Sequence, residues 1–258
     1  MEYLPIKTRI MQPPQDNLFS LLEESLIDVK EGDVVVVTSK VVAIHQGRCV
    51  SIDTFDKDAY IKEAAQLIIP RTYWGTVLTI TNNMFVSSSG VDQSNSNGYC
   101  TLLPKDPFAS AEEIHTYLAE KFCTHQIGVV ITDSHSVPCR YGAVVGAIGW
   151  WGFQPLVNHI GKGDLFGRLI EHERSNLVDG IAAGAGVVMG EVDECTPIVV
   201  ARSIPNLTFT DLRAGDTLFA HLRMTLCAYC MNVFHKVIFL RTEFLYPTRV
   251  LCNPSTGR

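Results

Sequence analysis

The sequence predicts a mixed α/β (α+β) protein that is not built on a doubly wound Rossmann sheet. Three observations carry this expectation. Short apolar runs of strand type, Val34-Val35-Val36-Val37 and Ile127-Gly128-Val129-Val130-Ile131-Thr132, alternate with stretches whose apolar residues recur at helical spacing. Residues 76–80 and 84–86 flank Asn82-Asn83, the pattern of an antiparallel hairpin. The glycine fingerprint of a dinucleotide fold is missing, since Gly184-Ala185-Gly186 runs into Val187-Val188-Met189.

Taken in order, residues 3–11 read as an opening or edge strand closed by Pro13-Pro14. Leu18, Leu21, Leu22 and Leu26 mark a helix, with Asp16 or Asn17 placed to cap it. After the Glu31-Gly32-Asp33 turn comes a strand buried on both faces, then Thr38-Ser39-Lys40 and a second apolar piece over residues 41–44. A helix over 56–69 is ended by Pro70, and the hairpin follows. Ser110-Ala111-Glu112-Glu113 has the form of a capping box and starts a helix to about Phe122, with Ile114, Tyr117 and Leu118 inward. Residues 127–132 form the clearest strand. Glycines over 142–149 imply close backbone packing, 164–174 is charged, 177–189 is a buried helix and 197–202 another strand. Beyond these, 218–233 reads as a helix, 236–240 as a strand and the last six residues as disordered.

At 258 residues the chain suits one large domain or two small ones. With 47% hydrophobic and 19% charged residues it is globular, and its formal charge of −6 argues against a nucleic-acid binder. No apolar run has the length of a membrane span and no signal-peptide pattern is present, so the expected location is cytoplasmic. Eight cysteines scattered through the chain read as reduced thiols. The lone pair Cys227-Ala228-Tyr229-Cys230 reads as two thiols on one helical face, with zinc or redox work as the alternative.

Three loops concentrate acidic and small polar side chains. In Ser87-Ser88-Ser89-Gly90-Val91-Asp92-Gln93-Ser94-Asn95, either Asp92 holds a metal and Asn95 reads a ligand, or the stretch is a polar turn. Asp133-Ser134 offers two hard oxygen ligands past a buried strand, or an Asp-capped turn. Gly190-Glu191-Val192-Asp193-Glu194 sets acids at a helix C-terminus, against the dipole, which a nearby cation would offset and solvent exposure would make cheap. Lys40 is either a phosphate contact or a snorkelling surface lysine. Phosphate-loop, zincin and nucleophile-elbow motifs are absent; Gly161-Lys162-Gly163 lacks the leading glycine of a phosphate loop.

With their flanks, these loops resemble the coenzyme F420-0:L-glutamate ligase family. The likeness rests on Ser89-Gly90-Val91-Asp92-Gln93-Ser94-Asn95, Thr132-Asp133-Ser134 and Val188-Met189-Gly190-Glu191-Val192-Asp193-Glu194. Val36-Val37-Thr38-Ser39-Lys40-Val41-Val42 and Asp164-Leu165-Phe166-Gly167-Arg168 extend it, in the same order, over residues 4–205. Leu103-Pro104-Lys105-Asp106-Pro107, Ile160-Gly161-Lys162 and the run from Gly190-Glu191 to Thr196-Pro197 are more similar to the branch of folate-metabolism gamma-glutamate ligases. The resemblance implies a γ-glutamyl ligase-like fold of two lobes and an intertwined homodimer. Residues 1–205 would be the catalytic domain, and 206–258 an unassigned C-terminal extension.

It also implies a chemistry. GTP or ATP would activate an acceptor carboxylate as an acyl phosphate, which the amine of L-glutamate attacks. Two divalent ions, Mn or Mg, would be held by Asp92 and Asp133 at one site and by Ser134 and Glu191 at a second. Nucleotide contacts would fall on Ile10, Met11 and Gln12, on Ser39, Lys40 and Asn95, and on Met189, Gly190, Glu191, Val192, Asp193, Glu194, Cys195 and Thr196. As carboxylate anchors for the substrates, Arg140, Lys162 and Arg168 are the expected residues. The expected acceptor is a folate or related pterin, with the deazaflavin F420-0 as alternative. Readings of other classes are a metal-dependent phosphohydrolase and an inactive ligand-binding relative. Two departures from the F420 pattern bear on nucleotide and acceptor. Ile44 stands where those enzymes place a lysine, and Ser134-His135-Ser136-Val137-Pro138-Cys139-Arg140 replaces a more regular run.

Overall fold

The structure is a computed structural model and describes residues 1–69, 76–137, 140–211 and 218. The chain opens with β1 (Glu2–Ile6), α1 (Leu18–Ser25), β2 (Val34–Thr38) and α2 (Ser39–His45). Next come β3 (Cys49–Ser51), α3 (Lys57–Ala64), β4 (Leu67–Ile69), β5 (Leu78–Thr81), β6 (Met84–Ser87) and β7 (Tyr99–Thr101). It continues through α4 (Pro107–Phe122), β8 (Gly128–Ser136), β9 (Ala143–Trp151), β10 (Leu156–Asn158), β11 (Arg174–Asn176), α5 (Leu177–Met189) and β12 (Ile198–Arg202).

A five-stranded sheet in the order β1-β12-β2-β8-β9 is the frame. Only β2 and β8 pair in parallel; the other neighbours are antiparallel. The mixed α/β class expected from the sequence is what the chain adopts. Strand alternation explains the four valines of β2. Val35 and Val37 join Val129, Ile131, Ile198 and Val200 in a cluster with Leu18, Leu21 and Leu22 of α1, Val41 and Val42 of α2, and Ile114 and Leu118 of α4. The alternate valines face away from that cluster, toward the side covered by α5. That helix packs closely through its small residues: a methyl added at Gly184 would fall 2.2 Å from the Tyr3 ring, and one at Gly186 would fall 2.4 Å from Val145. Both faces of β2 are therefore apolar, as its continuous valine run requires.

Elsewhere local chemistry decides the boundaries. Asn82 and Asn83 both take positive φ, 51° and 60°, in the two-residue turn that pairs Thr81 with Met84. The apolar piece after Lys40 is helical, as α2. Helix α4 begins at Pro107 rather than at Ser110. Asp106 caps it by accepting from the Phe108 and Ala109 amides at 3.0 Å, while the Ser110 hydroxyl bonds the Asp106 carbonyl. The helix expected over 56–69 stops at Ala64, and Leu67–Ile69 joins the antiparallel sheet β4-β5-β6 as β4. β1 is shorter than expected, and residues 8–13 turn instead toward the cleft described below.

By contacts the chain divides into Met1–Leu218 and Phe219–Arg258. The first unit extends past residue 205: Thr210 N–H donates to the Gly152 carbonyl at 3.0 Å, and Phe209 bridges Phe153. The second unit lies outside the described residues, and with it the strand expected over 236–240, the CxxC pair and all but Leu218 of the helix expected over 218–233. Among the described residues no helix is long and apolar enough to cross a membrane.

Candidate active site

The site is built where the parallel pairing of β2 with β8 ends. Their register sets Thr38 opposite Thr132; β2 gives way to α2 at Ser39, while Asp133 and Ser134, expected just past the strand, lie within β8, which runs on to Ser136 paired with β9. Ligands collect at such carboxyl ends because the loops and helix starts that follow converge there. A register shift between Ile131 and Thr132 against β9 adds local twist just before Asp133. Ser39, buried as the first residue of α2, donates through Oγ to Asp133 Oδ1 at 2.8 Å. Lys40, the next residue, places Nζ 2.6 Å from Asp92 Oδ2.

Asp92 arrives on the loop after β6. Its backbone exchanges two hydrogen bonds with Thr101, of 3.0 and 2.7 Å, and its Oδ1 accepts the Ser94 amide at 2.8 Å. Upstream, Ser88 and Ser89 both hold left-handed backbone, at φ 51° and 54°. Strain of that kind persists only where its surroundings over-determine it, and functional loops are a common place for it.

The two carboxylates are driven apart electrostatically. Burial pushes Asp133 up, the Ser39 hydrogen bond opposes this, and the nearby charge of Asp92 adds to it, leaving the carboxyl at about 7. Burial is also the largest single influence on Asp92, but its ion pair with Lys40 and the bonds from Ser94 outweigh it and hold the carboxyl below its ordinary value.

Around this pair opens a cleft of about 530 Å³. It is bordered by Ile10, Met11 and Gln12, by Ser39, Lys40, Asp92 and Asn95, by Asp133 and Ser134, and by the loop from Met189 to Thr196. Asn95 Nδ2 donates to the Val192 carbonyl at 2.6 Å and clasps two loops 97 residues apart. On the Val192 side, the Glu194 carboxylate accepts the Val192 amide at 2.9 Å, and that and neighbouring backbone amides hold it below its usual range. Every residue expected to hold nucleotide or metal thus borders one cleft. Arg140, Lys162 and Arg168 do not border it; all three are exposed, and the Arg168 amide is tied back to Asp164 Oδ1 at 2.9 Å. The sequence reading passed over Thr8, Asn97, Thr132, Val145 and Pro197, which also line the cleft. The signal for Thr132 was available, because Thr38-Ser39 and Thr132-Asp133 follow two buried apolar runs at matching positions, where the parallel pairing stops.

The donor set suits a hard divalent cation. Asp92 and Asp133 offer carboxylate oxygen and Ser134 a hydroxyl, and magnesium-type ions take one or two carboxylates, completing their shell with water and phosphate. Among the described residues no three His, Cys, Asp or Glu side chains converge, so Glu191 borders the cleft without joining the two aspartates.

A cleft with a few convergent polar groups, set where a parallel strand pair of a mixed sheet parts, is the setting of a small-molecule α/β enzyme. This chain belongs to the F420-0:Gamma-glutamyl ligase family, whose profile matches residues 5–203. It is 31% identical to the Coenzyme F420:L-glutamate ligase of Methanothermobacter thermautotrophicus, over 73% of this chain and 81% of that one. Against the enzymes of the same name from Methanopyrus kandleri and Methanocaldococcus jannaschii the identities are 32% and 34%. Each covers 79% of this chain, and they cover 86% and 82% of the relatives.

Proposed function

We propose that the protein is a nucleotide- and divalent-metal-dependent γ-glutamyl ligase that joins L-glutamate to a folate-type acceptor. One observation carries the reading: in a chain of the γ-glutamyl ligase family, Ser39–Asp133 and Lys40–Asp92 meet in one cleft whose bordering loops are joined by the Asn95–Val192 clasp. An acceptor carboxylate oxygen takes the terminal phosphoryl group of GTP or ATP and the nucleoside diphosphate leaves. The amine of glutamate then attacks the acyl carbon, inorganic phosphate leaves, and the amide forms. A divalent ion held by Asp92 and Asp133 would neutralise phosphate charge during the transfer.

The chain's own residues do the rest. Ser39 orients Asp133, Lys40 supplies positive charge beside the phosphates, and the clasped loops keep water from an acyl phosphate that water would hydrolyse. Asp92, with the loop anchored at Thr101, fixes where the phosphates lie. The exposed Arg140, Lys162 and Arg168 remain candidates for carboxylate capture. A homodimer belongs to the same proposal, because Leu165 and Phe166 are 97% and 96% exposed on one segment and a second copy would cover them. We place the catalytic unit within residues 1–205 and the protein in the cytoplasm.

The names of the relatives favour F420-0 as the acceptor, which is the second reading. The altered run after Asp133 favours a different acceptor, while Ile44 leaves both GTP and ATP open as the nucleotide. Incubation with GTP or ATP, Mn²⁺ or Mg²⁺, and glutamate, with dihydropteroate, a folate or F420-0 in parallel, decides by product mass. Phosphate release that ignores glutamate would overturn the ligase reading in favour of a phosphohydrolase.

A further inference from the structure

Lys40 is held as a metal ion is held. Its Nζ lies 2.6 Å from Asp92 Oδ2 and donates to the Ser94 carbonyl at 2.6 Å and to Ser94 Oγ at 2.9 Å. An ammonium group carries three N–H donors, and each has an oxygen here. The oxygens are fixed without help from the lysine. Asp92 accepts the Ser94 amide at 2.8 Å and the Ser94 hydroxyl at 3.0 Å, while the Ser96 hydroxyl bonds the Ser94 carbonyl at 2.9 Å. Hard oxygens gathered about one point are what a divalent cation takes. A lysine ammonium is a compact point charge on a flexible stem, the side chain best suited to imitate one.

We propose that Lys40 is an internal stand-in for the cation at Asp92, and that loading of the ion hands this lysine to the phosphates of the incoming nucleotide. The inference rests on the metal and nucleotide reading above. An ammonium and a divalent ion cannot both contact Asp92 Oδ2 without strong repulsion, so the arriving ion expels the lysine. Lys40 is the second residue of α2 and borders the cleft, so its freed charge stays inside, opposite the loop that starts at Met189. A cation without a partner in a confined cleft attracts phosphate. The metal-free protein thereby keeps its lysine engaged and its phosphate subsite weak, and binding runs metal first. Linkage makes the effect reciprocal: the factor by which metal strengthens phosphate binding is the factor by which phosphate strengthens metal binding.

Two measurements on the full chain test this. The first is Mn²⁺ binding without nucleotide, by calorimetry, to the wild type and to Lys40→Met. The second is the acylation rate of the Lys40 amine, read by peptide mass, in the metal-free protein, with Mn²⁺, and with Mn²⁺ plus inorganic tripolyphosphate. Lys40→Met is expected to bind Mn²⁺ about tenfold more tightly, within the usual range of coupling between sites. Lys40 is expected to react slowly when metal-free, faster with Mn²⁺ and slowly again once tripolyphosphate is added. Equal Mn²⁺ affinities, or acylation indifferent to bound Mn²⁺, overturn the exchange while the metal reading stands. Absence of Mn²⁺ binding in both proteins overturns the metal reading and the exchange with it.

Discussion

Ser39 Oγ donates a 2.8 Å hydrogen bond to Asp133 Oδ1, joining the first turn of α2 to β8 across 94 residues of sequence. Ser39 is 5% exposed, so water cannot readily replace it. Ser39→Ala strips Asp133 of this donor and is expected to cost about 1–2 kcal/mol of folding stability. Ligation should fall further, roughly tenfold in kcat/KM, because the carboxylate loses its orientation, as seen when groups supporting metal ligands are removed. Ser39→Thr keeps the hydroxyl and should recover part of the loss. Unfolding midpoints measured beside kcat/KM separate the two effects; full activity in Ser39→Ala would remove Ser39 from the site.

Asp92→Asn and Asp133→Asn keep shape and hydrogen-bonding capacity while removing the charges assigned to the cation. Both are expected to lose ligation to below detection with the fold intact. Asp92 has a side chain 46% exposed, so loss of its ion pair with Lys40 should change stability by no more than ~1 kcal/mol. Turnover assays with circular dichroism check this. Unchanged turnover in either variant would end its assignment to the metal.

Legibility followed the strength of local signals. The valines of β2 and the Ala/Gly/Val helix α5 were readable because burial on both faces and tight helix packing each leave a long compositional trace. Residues 41–44 were ambiguous, since a four-residue apolar run fits a buried helix as well as a strand. The capping-box pattern at Ser110 set the start of α4 one turn too late; the helix begins at Pro107 because Pro fits the first helical position and Asp106 caps it. Single acidic loops could not declare themselves. Asp92, Asp133 and Glu191 border one cleft only through the parallel pairing of β2 with β8 and the return of the chain after α5, and neither is written in any local stretch. Family resemblance carried the loops into one site; for Arg140, Lys162 and Arg168 it implied no role, their assignment rested on charge alone, and they lie outside the cleft.

Asp33 is 1% exposed and takes a two-pronged contact from Arg202, with Nη2 at 2.8 Å and Nε at 2.9 Å from its two oxygens. It also accepts the Lys30 amide at 2.8 Å, so it fixes the turn before β2 and the end of β12 together. Removing Asp33 leaves Arg202 with only a 3.5 Å contact to the Asp28 carboxylate and a 3.2 Å bond to its carbonyl, so the charge is largely uncompensated. Asp33→Ala is expected to destabilise by about 3 kcal/mol, at the lower end of the range because the Arg202 side chain, 18% exposed, still reaches water. A denaturant midpoint close to that of the wild type would contradict it.

Asp16 ties the stability of the fold to the edge of the cleft. Hydrogen bonding and charge from Arg9, together with the amides of Gln12 and Asn17, outweigh the effect of burial and hold its carboxyl down at about 2 against an ordinary 3.8. Arg9 bonds both carboxylate oxygens, at 2.7 and 3.0 Å. A depressed carboxyl stabilises the folded state fully above its unfolded value, and the contribution is lost as pH falls through its folded value. The gap in unfolding free energy between wild type and Asp16→Asn should therefore be constant above about pH 5, shrink between about pH 4 and 2, and close below that. Because the Arg9 side chain is 36% exposed, salt should narrow the gap at neutral pH. Denaturant titrations of both proteins across that range check the sign; a gap that widens on acidification would reverse it. Gln12 borders the cleft and donates to Asp16 at 2.9 Å, so acid that releases Asp16 should also weaken ligand capture before the sheet unfolds.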